Sequence, residues 1–405
     1  MMTKACVALL VTLLGVAEAC TYFELPYGKD GEFMIGRTME LGGEWLEEKW
    51  TVQAMPQKSK FAKEVIPHLP LEEAVGEARE ELQTRALRDD KRHFVGKYGF
   101  LAIYGGFGKI GGHWEVGTEG MNEKGLAASM HTHMKAQYQQ GTPAAQAAKD
   151  VIQFIQFVPY VLSQFATTEE MVEKFESGDV AFTSHGFIPS FLSTHFSIVD
   201  ANQHSVVVEF VQGEMKIHLN QVGVFTNDPE FDWHLRNLNQ FAAISPNHAD
   251  RSGDIGTVRT EVGPVPTALN HGFNLLGLPG NFGPPARFVR TFFLKNFAIY
   301  NDPPKDETAA VRLTTAIVNH LAIPMGVAAK TNMLDIGDFT QWAVIKMPSS
   351  GKMMFRNYVN NAWQAVDMNA LLPFLQGSKP GTKPKIIKVF GDDDGIKDVT
   401  ASFNI

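Results

Sequence analysis

A cysteine follows Ala17-Glu18-Ala19 directly, and this placement restricts the possible folds more than any other feature of the chain. Residues 1–19, MMTKACVALLVTLLGVAEA, have the parts of an export signal. Lys4 gives a basic start, an apolar run covers 5–17, and Ala17-Glu18-Ala19 is a small-x-small cleavage site. Cleavage after Ala19 would remove Cys6 and leave Cys20 as the first residue and the only cysteine. No intrachain disulfide and no cysteine-based metal centre could then form, so burial of apolar surface must hold the fold. An unpaired thiol in an oxidising compartment also needs a use. The reading is a secreted or periplasmic protein. A lipoprotein acylated at Cys20 is disfavoured, because Ala17 and Glu18 fit a lipobox badly.

After residue 19 no apolar stretch is long enough to span a bilayer, so no membrane partner is expected. A net charge of −8 with no basic patch excludes nucleic acid as a partner. The 29 phenylalanines, against 8 tyrosines, suit a thick core. The expected organisation is one domain over 20–377, with a charged insert near 70–93 and an exposed Lys/Pro/Gly-rich tail over 378–405.

Alternating apolar residues predict strands in two groups. The first group is a hairpin over CTYFELPYGKDGEFMIGRTMEL, turning at Gly28-Lys29-Asp30-Gly31, followed by YGFLAIYG and HWEVGTEGMNEKGLAASMHTH. The second includes FSIVDANQHSVVVEFVQGEMKIHLNQVGVFTN and the closing meander DFTQWAVIKMPSSGKMMFRNYVNNAWQAVDM. Helical spacing predicts a helix over 144–165, kinked at Pro159, and a second opened by the capping box Thr167-Thr168-Glu169-Glu170 and closed at Gly178. Two more helices follow at ARFVRTFFLKNFA and ETAAVRLTTAIVNHLA. Antiparallel strands with helices between and after them predict an α+β layered sandwich.

Gly106-Phe107-Gly108-Lys109-Ile110-Gly111 matches G-x-G-x-x-G, but the following GHWEVGTEG alternates and opens no helix, so no dinucleotide cofactor is expected. His131 and His133 stand two apart and could share a metal only if folding brought a third ligand, such as His113 or His195. Nothing at zinc-site spacing supplies one, and neither metal nor cofactor is expected. Cys20 is different. A cysteine at a chain's N-terminus carries its own general base, because the α-amine titrates at about 7.7–8.0 and a thiol at about 8.5. Such a group needs a cation beside the sulfur, a carboxylate for the amine and donors for an oxyanion. The predicted hairpin returns Arg37 beside Cys20, with Glu40 a short step further on.

Several further segments occur in a fixed order: Gly120-Met121-Asn122-Glu123-Lys124-Gly125-Leu126, then Thr226-Asn227-Asp228-Pro229, Phe231-Asp232-Trp233-His234 and Leu278-Pro279-Gly280. Pro284-Pro285-Ala286-Arg287-Phe288-Val289-Arg290 and Asp338-Phe339-Thr340-Gln341-Trp342 complete the set. With Cys20-Thr21 and Gly36-Arg37-Thr38-Met39-Glu40 they make the chain resemble the choloylglycine hydrolase and penicillin V acylase family of N-terminal cysteine nucleophile hydrolases. The resemblance implies a four-layer αββα sandwich, a dimer or tetramer, and hydrolysis of linear amides outside peptide bonds. It further implies Cys20 as nucleophile, Arg37 beside the sulfur, Asn227 donating its side-chain amide to the oxyanion, and Arg287 as a distal supporting cation.

Two departures from the family pattern stand out. Glu40 and Leu41 occupy positions where the family usually has Asp and an aromatic, which alters the amine contact and the acyl pocket. Met130-His131-Thr132 stands where bile salt hydrolases usually carry an oxyanion Asn, so a backbone N–H near His131 or Thr132 would take that role. The expected function is exported hydrolysis of a small acyl amide through an acyl-thioester. The candidate substrates are phenoxyacetyl penicillins, N-acyl-homoserine lactones and conjugated bile acids. The alternative is an exported binding protein with a decayed site, marked by Glu40 and Leu41.

Overall fold

Both faces of the first strand are buried, which requires a layer on each side of it. The computed structural model describes residues 19–42, 50–63, 93–107, 114–184, 193–247, 257–260, 263–266, 272–328 and 337–388. The export segment through residue 18, residues 70–92 of the charged insert, residues 108–113 of the glycine-rich stretch and residues 389–405 of the tail lie outside the described residues.

The strands of the two main sheets are numbered in chain order. They begin with β1 (Ala19–Tyr27), β2 (Glu32–Gly42), β3 (Trp50–Met55), β4 (Phe100–Phe107) and β5 (Trp114–Asn122). Next come β6 (Ala127–Thr132), β7 (Thr194–Val199), β8 (Ser205–Val211), β9 (Glu214–Leu219) and β10 (Val224–Phe225). The last are β11 (Asp338–Met347), β12 (Lys352–Asn357), β13 (Gln364–Asp367) and β14 (Lys385–Lys388). One sheet runs β10-β1-β2-β11-β12-β13 and the other β9-β8-β7-β6-β5-β4-β3-β14. The pairings inside both sheets are antiparallel.

The α-helices among the described residues are α1 (Pro143–Ala147), α2 (Phe157–Gln164), α3 (Thr168–Glu176), α4 (Phe231–Asn237), α5 (Pro284–Asn301), α6 (Glu307–Leu321) and α7 (Leu372–Gly377). Helices α5 and α6 pack on β1 and β2, α2 packs on β5 and β6, and β1 meets β6 between the sheets. These contacts make four layers, αββα, the architecture expected from the sequence. At Gly36 α6 comes close to the sheet. A Cβ there would stand 2.5 Å from the Phe23 ring and 2.9 Å from a Thr314 methyl, so a side chain would push the helix off the sheet. The β1–β2 turn bends at Gly28 and Gly31, with φ of 67° and 82°. That positive φ is why glycines stand at both ends of it.

Residues 144–165 do not form one helix. Asp150–Gln153 is a strand paired in parallel with Val180–Thr183, and Pro159 lies in the first turn of α2, where its missing N–H leaves no bond unmade. A continuously apolar segment gives no period to separate a buried strand from a helix. The capping box is observed, with Thr167 accepting from the Glu170 N–H at 3.2 Å. Within the expected tail, β14 pairs along β3, leaving Ile386 and Ile387 about half exposed on that sheet edge. Among the described residues no helix is long and apolar enough to cross a membrane.

The layer between the sheets is not purely apolar. Arg37 forms an ion pair with Glu119 at 2.9 Å, and Lys346 pairs with the same carboxylate; all three side chains are fully buried. Glu24 accepts from Tyr22 and Ser205 at 2.9 and 2.5 Å nearby. Buried charges of this kind tie the two sheets in one register, because a shifted pairing would leave a charge unpaired at several kcal/mol.

Candidate active site

Cys20 lies on β1 beside β2, opposite Met39, and the two residues before Met39 bring Arg37 onto the same face. The Cys20 Sγ is buried, 3.5 Å from Arg37 Nη2 and 3.5 Å from Met39 Sδ. Arg37 is fixed from three sides: it pairs with Glu119, donates to the Met130 carbonyl, and lies 4.7 Å from the Trp342 ring centroid. A guanidinium held against a sulfur favours the thiolate over the thiol.

The nitrogen and carbonyl of Cys20 are held by residues remote in sequence. Cys20 N–H donates to Asn227 Oδ1 at 2.6 Å, and Arg287 Nη2 donates to the same oxygen at 2.8 Å. Arg287 Nη1 donates to the Cys20 carbonyl at 2.5 Å and to Thr21 Oγ1 at 2.6 Å, and its Nε donates to the Phe282 carbonyl at 2.8 Å. The planar fork of arginine makes this four-acceptor grip possible. Arg287 sits in the first turn of α5, fully buried against β1.

Asn227 differs from its expected part. Its side-chain amide donates to the Thr132 carbonyl at 3.0 Å. Arg287 pins Oδ1, and that fixes which end of the amide points to Cys20. The Asn227 oxygen therefore orients the Cys20 nitrogen here. Its own carbonyl accepts from His234 Nε2 at 2.9 Å.

Glu40 is buried opposite Ala19, the residue before Cys20. One oxygen accepts from Thr340 Oγ1 at 2.7 Å, and the other has no hydrogen-bond partner. Burial raises its carboxyl above the ordinary value, against the pull of Arg287 and the neighbouring hydroxyls of Thr38 and Thr340. Leu41 is packed in the apolar core, and its carbonyl accepts from Gln341 Nε2 at 3.0 Å. His131 lies on β6 with Nε2 3.2 Å from Ser197 Oγ and its ring edge-on to Phe225 at 4.8 Å. Its desolvation and the nearby Arg37 push its pKa well below the usual imidazole value. Both His131 and Thr132 pair with β7, opposite His195 and Thr194. A groove of about 460 Å³ opens beside Thr340 and Trp342, the two β11 side chains that touch Glu40 and Arg37.

Cys20, Arg37, Glu40, Asn227 and Arg287 thus cluster, whereas Leu41 turns into the core. Glu119, Thr21 and Thr340 were not anticipated, although each completes a contact made by an anticipated residue. His131 and His133 do not converge. His133 instead stands with His195 and Glu209.

In the full chain Cys20 is internal to β1, so its nitrogen is a peptide N–H.

Comparison with known proteins gives a consistent picture. Residues 20–373 match the model of the linear amide C-N hydrolases, choloylglycine hydrolase family, and the match begins at Cys20. A bile salt hydrolase/transferase from Clostridium perfringens is 31% identical over 288 residues, covering 70% of this chain and 80% of that protein. A penicillin V acylase from Pectobacterium atrosepticum is 32% identical over 121 residues, covering 29% of this chain and 32% of that one. Among solved structures, a variant of the conjugated bile acid hydrolase from Clostridium perfringens superposes with a TM-score of 0.68 at 24% identity, over 94% of this chain and all of that one. The penicillin V acylase from Agrobacterium tumefaciens gives 0.61 at 21% identity, over 86% of each chain.

Proposed function

Because the chain belongs to the choloylglycine hydrolase family of linear amide C–N hydrolases, we propose that it is an exported amidohydrolase whose nucleophile is Cys20, exposed as the N-terminal residue by cleavage after Ala19. The convergence of Arg37 on the sulfur, and of Asn227 and Arg287 on the nitrogen and carbonyl of the same residue, carries this reading. Removal of Ala19 would replace a peptide N–H with an amine. Asn227 Oδ1 already accepts from that nitrogen, and the second oxygen of Glu40 lacks a partner on the strand position Ala19 vacates. Both would hold the amine close to the sulfur.

The reaction then runs as follows. The thiolate attacks the amide carbonyl while the α-amine takes up the thiol proton. The tetrahedral intermediate collapses, the carbon–nitrogen bond breaks, and the ammonium gives its proton to the departing amine. Water, deprotonated by the same amine, attacks the thioester and frees the acid and the thiol. The oxyanion would be met by a backbone N–H near His131 or Thr132. Asn227 would add its amide only if it released the Thr132 carbonyl on processing. The substrate proposed is a linear amide joining an apolar acyl group to a polar amine. Phenoxyacetyl penicillins, N-acyl-homoserine lactones and conjugated bile acids are to be tried in that order, in a soluble dimer or tetramer.

The intact mass of the exported protein, before and after thiol alkylation and beside hydrolysis of these three amides, tests the reading. A mass starting at Cys20, one added label and loss of activity are expected, as is loss of at least about 10³-fold in Cys20→Ala. A mass that retains Ala19 in active protein would remove the amine base. Activity that survives alkylation would remove the nucleophile.

A further inference from the structure

On the far side of the turn carrying Asn227, three buried side chains from neighbouring parts of one sheet face each other. His133 follows β6, His195 lies on β7 and Glu209 on β8, and one ligand atom from each lies within 4.8 Å of the others. All three are buried, His133 at 1% exposure.

Their protons do not balance. His195 Nε2 stands 3.2 Å from the Thr226 carbonyl, an acceptor, so the proton of a neutral ring belongs there. The other nitrogen, Nδ1, then turns a lone pair to Glu209 Oε1 at 2.8 Å. Both Glu209 oxygens accept from the Phe231 N–H at 3.1 Å, which supplies one hydrogen for two oxygens. Neither ring nitrogen of His133 has a hydrogen-bond partner. At the rim, partly exposed Asp228 has Oδ1 3.6 Å from His133 Nε2, and His218 Nε2 is 3.5 Å from Glu209 Oε2. The cluster therefore holds several lone pairs aimed inward and too few hydrogens to meet them, in a space that penalises unmet polar atoms.

We propose that His133, His195 and Glu209 form a binding site for a divalent transition-metal cation of the zinc type, next to the turn that carries Asn227. Two imidazoles and a carboxylate are a donor set suited to such an ion, and partly exposed Asp228 or a water would complete it. Zinc bonds of about 2.0–2.2 Å place ligand atoms roughly 3.3–3.6 Å apart, so a pair at the 4.8 Å limit must close by about 1.2–1.5 Å. His133, held by no hydrogen bond, is the ring able to make that movement. His195 also holds the Thr226 carbonyl, so the ion would stiffen the turn that presents Asn227 to Cys20.

The test is cobalt and zinc binding to tag-free, chelator-treated full-length protein. Visible absorption of bound Co²⁺ gives the ligand type, and competition with a chromogenic chelator gives the affinity. One ion per chain is expected, with no thiolate-to-cobalt charge-transfer band. Binding should persist in Cys20→Ala and His204→Gln and weaken at least about tenfold in His133→Leu and in Glu209→Gln. The second variant is nearly isosteric and guards against misfolding in the first. No binding at several hundred micromolar metal would overturn the site and leave a proton on Glu209 as the balancing charge. Binding indifferent to both variants, or a thiolate band lost in Cys20→Ala, would place the metal elsewhere and equally overturn it.

Discussion

Two buried polar clusters flank the turn from Thr226 to Pro229, and they are built on opposite principles. On the Cys20 side, the nitrogen and carbonyl of Cys20 and the side chain of Asn227 are all engaged. Arg287 alone meets four oxygens, and Asn227 uses both ends of its amide. On the His195 side, acceptors crowd together and neither ring nitrogen of His133 makes a hydrogen bond. The first arrangement holds a residue in one geometry. The second has room for a proton or a cation, and its state can change without rebuilding the sheet. Among the atoms left unmatched near Cys20 are Glu40 Oε2 and Arg37 Nη1, one a carboxyl oxygen and the other a cationic donor. These would face a new amine and a substrate carbonyl or carboxylate.

If the Cys20 side is tightly matched, breaking one partner must be costly. Arg37→Leu leaves Glu119 buried with Lys346 alone, and a loss of about 3–5 kcal/mol in unfolding free energy is expected by denaturant titration. The surviving fold should alkylate at Cys20 more slowly at neutral pH, since the cation favouring the thiolate is gone. A loss under about 1 kcal/mol would mean that the pair is dispensable and the cluster loosely built. Arg287→Lys keeps the charge but removes the fork, so at most part of the four-oxygen grip survives. A cost of about 2–3 kcal/mol and a fall in kcat/KM of about 10²-fold are expected, with kcat carrying most of it. Unchanged kcat would reduce Arg287 to a packing residue.

The legible part of this site was its local part. Cys20, Arg37 and Glu40 fall within one hairpin, and alternation plus a glycine turn was enough to bring them together. Asn227 and Arg287 lie 207 and 267 positions from Cys20 and were located only through the order of motifs shared with a family. Their orientation was not legible at all: which end of the Asn227 amide meets Cys20 depends on Arg287, and that contact is tertiary. The same limit explains the histidines. A spacing of two suggested His131 with His133, but the strand order β8-β7-β6 brings His195 and Glu209 to His133 while Ser197 takes His131. The α+β layering was readable because hydrophobic period survives in amphipathic strands and helices, while its αββα order came from the family resemblance. It failed over 144–165, where nearly every residue from Ile152 to Leu162 is buried and no period exists.

Glu40 gives a smaller effect with a defined sign. Burial raises its carboxyl, so the folded chain keeps a proton that the unfolded chain has already released. Its contribution to stability is therefore fully present below the ordinary carboxylate value and is lost as pH rises through the raised one. Glu40→Gln removes that dependence. The denaturation midpoint of the variant should exceed that of the parent at pH 7.5 and match it near pH 4, while hydrolysis falls. A variant less stable than the parent at pH 7.5 would mean that the carboxylate is charged and paired in the fold.

The smallest effect is expected where the two clusters differ most. His133→Leu deletes two buried nitrogens that have no hydrogen-bond partner, so it orphans nothing except a contact at 3.6 Å to a partly exposed Asp228, whose other oxygen still accepts from the Met134 N–H at 3.0 Å. Replacing an unmet polar group by an apolar one of similar size is close to neutral, and metal-free stability should change by less than about 1 kcal/mol in either direction. His195→Leu provides the contrast within the same cluster. It strands the Thr226 carbonyl, and a cost of about 1–3 kcal/mol follows from that orphaned buried acceptor. Equal losses in the two variants, measured in chelator, would show that His133 is held as firmly as His195. The two sides of the turn would then be built alike, both as fixed frameworks.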